Sequence, residues 1–252
     1  MEEMYALELI EKGRRIDGRK FDEFRKIEIM PNVINTAEGS ARVKLGETEV
    51  IAGVKNDIGT PFPDTPDKGI LVVNVEFTPL ASPEFESGPP SENAVELARI
   101  VDRGIRESES IELDKLALIP GEKVFSTFVD IHIINDQGNL QDAASLASIV
   151  ALKNARLPKV ENEKVVRGVH ENPLPVVFTP INISVGKVGN NFILDPNYEE
   201  GKILDAKLSI SVRDDDKICA LQKQGRSGIK FDDVEKMLDI AIEKSKEIRK
   251  LI

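Results

Sequence analysis

The 252-residue chain shows the same order of patterns twice, several strands followed by a helix, and this repeat limits the folds open to it. Residues 39–55 predict a hairpin around a turn at Gly46-Glu47, and residues 70–77 and 124–134 predict further strands. In the second half, strands are predicted over 176–178, 181–185, 191–194 and 207–213, and a closing helix from Phe231 to the end. No linker-like tract separates the halves, so we expect an α+β fold in one compact domain over 1–252, with halves of about 25–160 and 175–252.

Helical spacing predicts two longer helices within the first half. The first follows Ser91, a suitable N-cap, and carries an apolar stripe. The stripe consists of Ala94, Leu97, Ala98, Val101 and Ile105. The second, rich in small residues, is predicted over 142–155 after a turn at 135–139. A short helix is predicted over 5–12, and residues 56–68 predict a loop because three prolines interrupt them.

The net charge of −10 argues against a chain whose whole surface binds nucleic acid, because phosphate contacts need a basic surface. Any RNA-binding function must therefore depend on a local basic patch. The single cysteine, Cys219, excludes an internal disulfide and a cysteine-based metal cluster. No apolar run reaches the roughly 18 residues of a membrane helix, and the acidic start does not resemble a signal peptide. We therefore expect a soluble, cytoplasmic protein without membrane contact.

A local basic stripe is formed by three arginines at positions i, i+4 and i+7 of the first long helix. These are Arg99, Arg103 and Arg106. Guanidinium groups bind phosphate oxygens through two hydrogen bonds at once, so such a row can hold successive phosphates of a nucleic acid. The competing interpretation is a solvated helix face whose charge is balanced by Glu96, Asp102 and Glu107. Spacing alone leaves both interpretations open.

The residues themselves predict no catalytic centre. The sequence contains no phosphate-binding glycine-rich loop with a lysine, no nucleophile elbow and no zinc-ligand spacing, so we expect no cofactor and no metal. The turn at 135–139 precedes a helix, as in an anion site, but no Lys or Arg lies between Lys123 and Lys153, and a structural turn is the better interpretation. Two groups of carboxylates remain as candidates for metal or acid–base chemistry, without specific spacing. They are Asp214-Asp215-Asp216, and Asp195, Glu199, Glu200 and Asp205.

Several segments of the chain, taken in order, resemble the ribonuclease PH family. They are Arg15-Ile16-Asp17-Gly18-Arg19 with Asp22-Glu23-Phe24-Arg25, the hairpin at 39–50, the helix at 96–106, Asp136-Gln137-Gly138, Ile193-Leu194-Asp195-Pro196 and the closing helix. The resemblance covers nearly the whole chain. Within the family, residues 86–94 and 136–140 most resemble the non-catalytic ring subunits of archaeal RNA exosomes.

The resemblance implies a ribonuclease PH-like fold of two βαβα-type halves and a place in a hexameric ring of three catalytic and three non-catalytic subunits. In such a ring this chain would scaffold a catalytic paralogue, which degrades RNA from its 3′ end with inorganic phosphate as the attacking group. RNA and the RNA-binding cap subunits of the ring are the other implied partners. The alternatives are a stand-alone phosphorolytic exoribonuclease with a rearranged site at Asp195, Glu200 or Asp205, and a purely structural ring member.

Carried over residue by residue, the resemblance implies that the chain has no catalytic residues. Active members place a Thr-Arg pair after the glycine of the turn, where this chain has Asn139-Leu140. Another phosphate-binding arginine corresponds to Asn93, and the two catalytic aspartates correspond to Gly201 and Lys207.

The arginine stripe is what the resemblance retains. Arginines at the positions of Arg99 and Arg103 face the RNA path in the inactive archaeal subunit. Arg106, one helical turn further on, completes the set of RNA-binding candidates, with a structural role left open for it.

Overall fold

The computed structural model of the chain describes residues 2–252, which form twelve strands and five α-helices. In order, the elements are α1 (Glu2–Glu11), β1 (Ile27–Pro31), β2 (Gly39–Leu45), β3 (Thr48–Gly59), β4 (Ile70–Glu76), α2 (Glu92–Glu107), β5 (Ala117–Ile119), β6 (Lys123–Asn135), α3 (Leu140–Lys153), β7 (Arg156–Glu161), β8 (Lys164–Pro173), β9 (Ile181–Val188), β10 (Asn191–Leu194), α4 (Tyr198–Lys202), β11 (Ala206–Val212), β12 (Ile218–Gln224) and α5 (Phe231–Arg249).

The strands form two larger sheets and one separate ribbon. Sheet 1 has the order β1-β2-β3-β6-β4, with β5 paired to β6, and its only parallel pair within residues 2–252 is β4 with β6. Sheet 2 has the antiparallel order β10-β9-β11-β12. Strands β7 and β8 form the ribbon, and most of β8 is exposed. Sheet 1 thus belongs to the first half of the chain and sheet 2 to the second.

The two long helices of the first half lie between the sheets. Helix α3 packs on β2 and β3 of sheet 1 and on β9 of sheet 2, while α2 packs on β4, α3 and β12. Helix α5 packs on β9 and β11. Because side chains alternate across a strand, the residues of β9 that point away from α3 point toward α5. The layers are therefore sheet 1, a helix pair, sheet 2 and α5, and one continuous hydrophobic core runs through both halves.

Sheet 2 meets α3 through a buried polar face. The carboxylate of Asp142, in the first turn of α3, accepts hydrogen bonds from Asn182 Nδ2 at 2.8 Å and from Ser184 N at 3.1 Å. The Ser184 hydroxyl lies 3.1 Å from that of Ser209, and Ser211 Oγ donates to Asn182 Oδ1 at 3.1 Å. These groups satisfy one another, so the two halves are joined by a specific hydrogen-bond pattern as well as by apolar packing.

Most of the expected elements are confirmed. The hairpin turns at Gly46-Glu47, and α2 begins after Ser91, whose hydroxyl accepts a hydrogen bond from Ala94 N. The predicted loop at 56–68 is wrong at its start, because β3 continues to Gly59 in register with β6. The predicted strand at 176–178 is also wrong, since Val176 makes only an isolated bridge with Ile111.

None of the helices in the described part of the chain, residues 2–252, combines the length and apolar character that crossing a membrane requires.

Candidate functional site

A cavity of about 380 Å³ lies where four segments of the chain meet. Its walls come from the first two turns of α2, the turn that precedes α3, helix α4 and the inner ends of β11 and β12. The aromatic rings of Phe77 and Phe85 stack with their centroids 4.3 Å apart and complete one side. The cavity therefore lies at the junction of the two halves.

The positions at which the resemblance implied missing catalytic groups all line this cavity. Asn93 comes from α2, Asn139 and Leu140 from the turn, Gly201 from α4 and Lys207 from β11. An added Cβ at Gly201 would meet no atom within 4 Å, so a larger side chain would fit there and its absence leaves open space. None of the described residues that line the cavity is an arginine.

Lys207 is the most unusual charged group of the cavity. Its side chain makes no hydrogen bond or ion pair with any of residues 2–252, and burial lowers the pKa of its ammonium group below the usual 10.5. The negative charges of Asp142, Glu96 and Asp136 oppose this lowering of the pKa. Burial in turn raises the pKa of Asp136 and of Asp142. A carboxylate at position 207 would have added to the negative charge of these three acids.

Arg19 and Arg25, in the motif near the N-terminus, connect the end of β10 to the turn at 135–139. Asp195 is fully buried, and its carboxylate receives both Nη2 and Nε of Arg25, at 2.7 and 2.8 Å. Arg19 Nη1 and Asn139 Nδ2 donate to the same carboxylate at 3.1 and 2.9 Å. Arg25 also donates to the carbonyl of Gly138 at 3.0 Å. The turn at 135–139 is thus fixed by protein groups, as a structural turn requires.

Arg15 and Glu200 form a second, fully buried ion pair. Arg15 Nη2 and Nε donate to the Glu200 carboxylate at 2.5 and 2.8 Å, and both side chains are inaccessible to solvent. Arg15 also donates to the carbonyls of Leu194 and Asp195, each at 2.9 Å. Glu200 in addition completes a capping box with Asn197 at the start of α4. This pair therefore positions the helix that carries Gly201.

Sequence reasoning treated Asp195 and Glu200 as carboxylates available for chemistry, and the structure corrects this. Glu200 is paired with the buried Arg15, Asp195 with the partly buried Arg19 and Arg25, and neither carboxylate lines the cavity. Asp205, the third residue of the rearranged-site alternative, accepts a hydrogen bond from Gly189 N and also lies outside the cavity. The signal that could have revealed the two buried pairs was the presence of three arginines in residues 15–25.

The acidic run Asp214-Asp215-Asp216 is likewise structural. Asp214 accepts from Arg249 and Thr179, Asp215 from Arg213 and Lys217, and Asp216 pairs with Lys246. Within residues 2–252 no cluster of His, Cys, Asp and Glu has the arrangement of a metal site.

Gly138 is required by close packing as well as by its backbone angle. Its φ is +89°, and an added Cβ would lie 2.5 Å from the carbonyl carbon of Asn197 and 2.6 Å from the nitrogen of Tyr198. The turn therefore touches the start of α4 through backbone atoms, which cannot move aside as a flexible side chain can.

Replacing Gly138 with alanine is expected to destabilise the fold by about 2–4 kcal/mol, because the left-handed angle and the backbone contact both oppose a Cβ. Gly121→Ala is the matched control, since Gly121 has φ +80° and no atom within 4 Å of an added Cβ. It should cost only the conformational strain, about 1–2 kcal/mol. Urea unfolding of both variants measures the difference, and equal losses would contradict the tight contact.

Arg99 and Arg103 lie on the exposed face of α2. Neither pairs with a carboxylate among residues 2–252, and Arg103 Nη1 makes a single long hydrogen bond, 3.4 Å, to Gln222 Oε1 on β12. Two of the three balancing acids expected from the sequence are engaged elsewhere, because Glu96 accepts from Gln224 and Asp102 pairs with Arg106. Two guanidinium groups are therefore available for an anion.

Arg106 differs from the other two arginines of the stripe. Its guanidinium donates to both carboxylate oxygens of Asp102, at 2.7 and 3.0 Å, and to the carbonyl of Leu71 on the edge strand β4 at 3.0 Å. The hydrogen bond with Asp102 raises the pKa of Arg106. The three arginines of the stripe therefore differ in role: Arg99 and Arg103 are free of acidic partners, whereas Arg106 holds α2 against sheet 1.

The chain matches known proteins over both halves. Residues 23–158 match the 3′ exoribonuclease family, domain 1, and residues 179–244 match the 3′ exoribonuclease family, domain 2. It is 49% identical over 247 residues to exosome complex component Rrp42 of Archaeoglobus fulgidus, covering 97% of this chain and 93% of that protein. It is 46% identical over 250 residues to Rrp42 of Thermococcus gammatolerans, covering 98% and 92%.

A solved structure gives the same result for the fold. A chain of the Archaeoglobus fulgidus exosome with RNA bound to the active site superimposes with a TM-score of 0.93 at 47% identity, covering 99% of this chain and 96% of that one.

Proposed function

Because the chain belongs to the 3′ exoribonuclease family of ribonuclease PH domains, we propose that it is a non-catalytic subunit of an exosome ring. In this role it scaffolds a catalytic paralogue and holds RNA for it during 3′-to-5′ phosphorolytic degradation. The full-length similarity to archaeal Rrp42 proteins and to a subunit of an archaeal exosome core supports this proposal over a stand-alone enzyme. Residues 1–252 are proposed to act as one domain, and a cytoplasmic location remains a prediction from the sequence.

The observation that carries the non-catalytic role is the composition of the cavity. Phosphorolysis needs an anion site for inorganic phosphate and acidic groups beside it, either for acid–base work or for a metal. At the positions that the resemblance assigns to the catalytic aspartates, the cavity has Gly201, which offers no functional group, and Lys207, which has the opposite charge. Asn93 and Leu140, which the resemblance assigns to the positions of phosphate-binding arginines, offer an amide and an apolar side chain to the cavity.

The RNA-binding part of the proposal rests on the exposed face of α2. Arg99 and Arg103 are free of acidic partners among residues 2–252, and an exposed guanidinium pair in a chain of net charge −10 suits a local contact with phosphates. Arg106 was predicted with them, and we propose that it contributes through the helix position it maintains with Asp102 and Leu71.

The proposed partners follow from the same role. They are three copies of a catalytic ribonuclease PH-like paralogue in an alternating hexamer, RNA, and RNA-binding cap subunits on the ring.

Purified alone, the chain is expected to release no nucleoside diphosphates from a single-stranded RNA in the presence of inorganic phosphate. Mixed in equal amounts with a catalytic paralogue, it is expected to form a complex of about six subunits that does release them. Mass measurement in solution and chromatography of the nucleotide products check both points. Phosphate-dependent release by the isolated chain would contradict the non-catalytic role, and failure to associate would contradict the scaffold role.

A further inference from the structure

The cavity contains two polar groups that the protein leaves without a partner. Lys207 lines the cavity and makes no hydrogen bond or ion pair with any of residues 2–252. Asn139 lines it too, and its Nδ2 donates to Asp142 and Asp195, whereas its buried Oδ1 accepts no hydrogen bond. An unpartnered buried atom such as Asn139 Oδ1 is costly and uncommon, whereas Lys207 is partly exposed and lacks a counter-charge in direct contact. Asn139 Oδ1 is closed off from solvent, so Lys207 is the unpartnered group to which a ligand in the cavity can offer an acceptor.

The other charged groups of the cavity determine which ligand charge the cavity favours. The charged side chains that line it are Glu84, Glu96, Asp136, Lys202 and Lys207. The ammonium of Lys202 already lies 3.9 Å from the ring centroid of Tyr198 and forms an ion pair with Glu199, so it is not free to bind a ligand. Carboxylates therefore outnumber free cations. This balance disfavours a phosphate and favours an uncharged ligand with N–H donors.

The apolar part of the lining sets the shape. The stacked rings of Phe77 and Phe85, 19° from parallel, stand beside Leu97 and Leu140. These groups form an apolar surface suited to a planar ring. A volume of about 380 Å³ lies within the range of small-molecule sites and accommodates a ligand of nucleoside size.

We propose that the cavity binds a guanine base of single-stranded RNA. Among the bases, guanine places acceptors, O6 and N7, next to two kinds of N–H donor along one side, which matches one lysine set among carboxylates. Lys207 would donate to O6 or N7, and the carboxylate of Glu96 or Asp136 would accept from the N1 and N2 hydrogens. The base would pack against the apolar surface, as unstacked bases of single-stranded RNA do on proteins.

The base site and the arginine stripe share one helix. Asn93, Glu96 and Leu97 line the cavity, and Arg99 and Arg103 follow on the exposed face of α2 within two turns. A strand whose phosphates lie on the arginines can thus place one base in the cavity. This part of the inference rests on the proposed RNA-binding function, whereas guanine binding itself does not.

The test is a calorimetric titration of the full chain with guanosine, adenosine, cytidine, uridine and, separately, inorganic phosphate. Guanosine is expected to bind on the order of 0.1–1 mM and about tenfold more tightly than the other nucleosides, the factor that one good base contact provides. Phosphate is expected not to bind. Equal binding of all four nucleosides, no nucleoside binding, or phosphate binding would overturn the proposal.

Three variants locate the ligand. Lys207→Met is expected to weaken guanosine binding at least about tenfold. Glu96→Gln, which keeps the side-chain size, should also weaken guanosine binding, and it provides the test if the Lys207 variant does not fold. Lys236→Met is the matched control, because Lys236 lies exposed on α5 and outside the cavity, and it should change binding less than about twofold. If both test variants bound guanosine like the unaltered chain, the ligand would lie elsewhere and the proposal would be wrong.

The two proposals fail separately. Absence of guanosine binding, together with weakened RNA degradation when Arg99 and Arg103 are replaced, would overturn the base site and leave the RNA-binding function intact. Lys207-dependent guanosine binding, together with unaltered degradation by the arginine variant, would support the base site and contradict the function proposed for the arginines.

Discussion

Replacement of both Arg99 and Arg103 by alanine is expected to weaken RNA binding by the assembled complex about 10- to 100-fold. Each side chain removed costs one charge-assisted phosphate contact, and two such contacts correspond to about 1.4–2.8 kcal/mol. Neither arginine supports the fold through an ion pair within residues 2–252, so assembly with the catalytic paralogue should be preserved. RNA degradation at low RNA concentration should slow by a similar factor.

Salt dependence distinguishes phosphate contacts from other causes of the same loss. For single strands, the slope of log affinity against log salt falls by about 0.7 for each phosphate contact removed, so the double variant should lose about 1.4. Lys236→Ala with Lys250→Ala is a matched control, because it removes two cations from the region of α5 and leaves α2 unaltered. An unchanged slope in the arginine variant, or an equal loss in the control, would show that α2 is not the RNA-binding surface.

Replacing Glu200 with glutamine is expected to lower the free energy of unfolding by about 3–5 kcal/mol, although the side chain keeps its size. The change leaves the Arg15 guanidinium buried without its counter-charge, and an unpaired buried charge is far more costly than an unpaired exposed one. Urea unfolding, followed by circular dichroism, measures the loss.

Asp215→Asn is the control for the Glu200 variant. It also removes a carboxylate paired with an arginine, but at the surface, and it should leave the unfolding midpoint nearly unchanged. Comparable losses of unfolding free energy in the two variants would mean that burial does not make the Arg15–Glu200 pair more important for stability than an exposed pair.

Local signals were sufficient where a residue's neighbours in sequence determine its conformation. Helix α2 could be predicted because Ser91 caps it and its apolar residues recur at helical spacing, and both features act within one or two turns. The turn at Gly46-Glu47 joins strands that alternate on both sides, so β2 and β3 were also predictable. Residues 56–59 were not, because their strand conformation depends on pairing with β6, about 70 residues further on.

Sheet 2 shows why contacts between residues far apart in sequence cannot be predicted from local patterns. The alternation of polar and apolar residues in β9 and β11 resembles that of strands with one face in water. Here Ser184 and Ser209 are fully or almost fully buried beneath α3, where Asp142 and its neighbours satisfy the polar groups. Only the tertiary structure shows that the polar face of one half fits the other.

Only part of the candidate site could likewise be predicted from the sequence. The arginine stripe could be predicted from spacing, but its division into two free arginines and one engaged arginine required the positions of β4 and β12. The altered positions at 93, 139–140, 201 and 207 came from resemblance to a family, and their meeting in one cavity is a property of the fold. The burial of Asp195 and Glu200 could not be inferred from residues around them in the sequence.

The attachment of the N-terminal arginines to the second half also bears on how the chain is made. Arg15 lies 185 residues before Glu200, so its guanidinium cannot form its native ion pair until the ribosome has synthesised about four fifths of the chain. At about 5–20 residues per second, that interval lasts roughly 10–40 s. The Arg15–Glu200 pair therefore forms only after most of the chain has been made, whereas Arg25 can already bind the turn at Gln137 and Gly138 in the first half. Contacts between residues so far apart in sequence slow folding, because the chain must close a long loop before they can form.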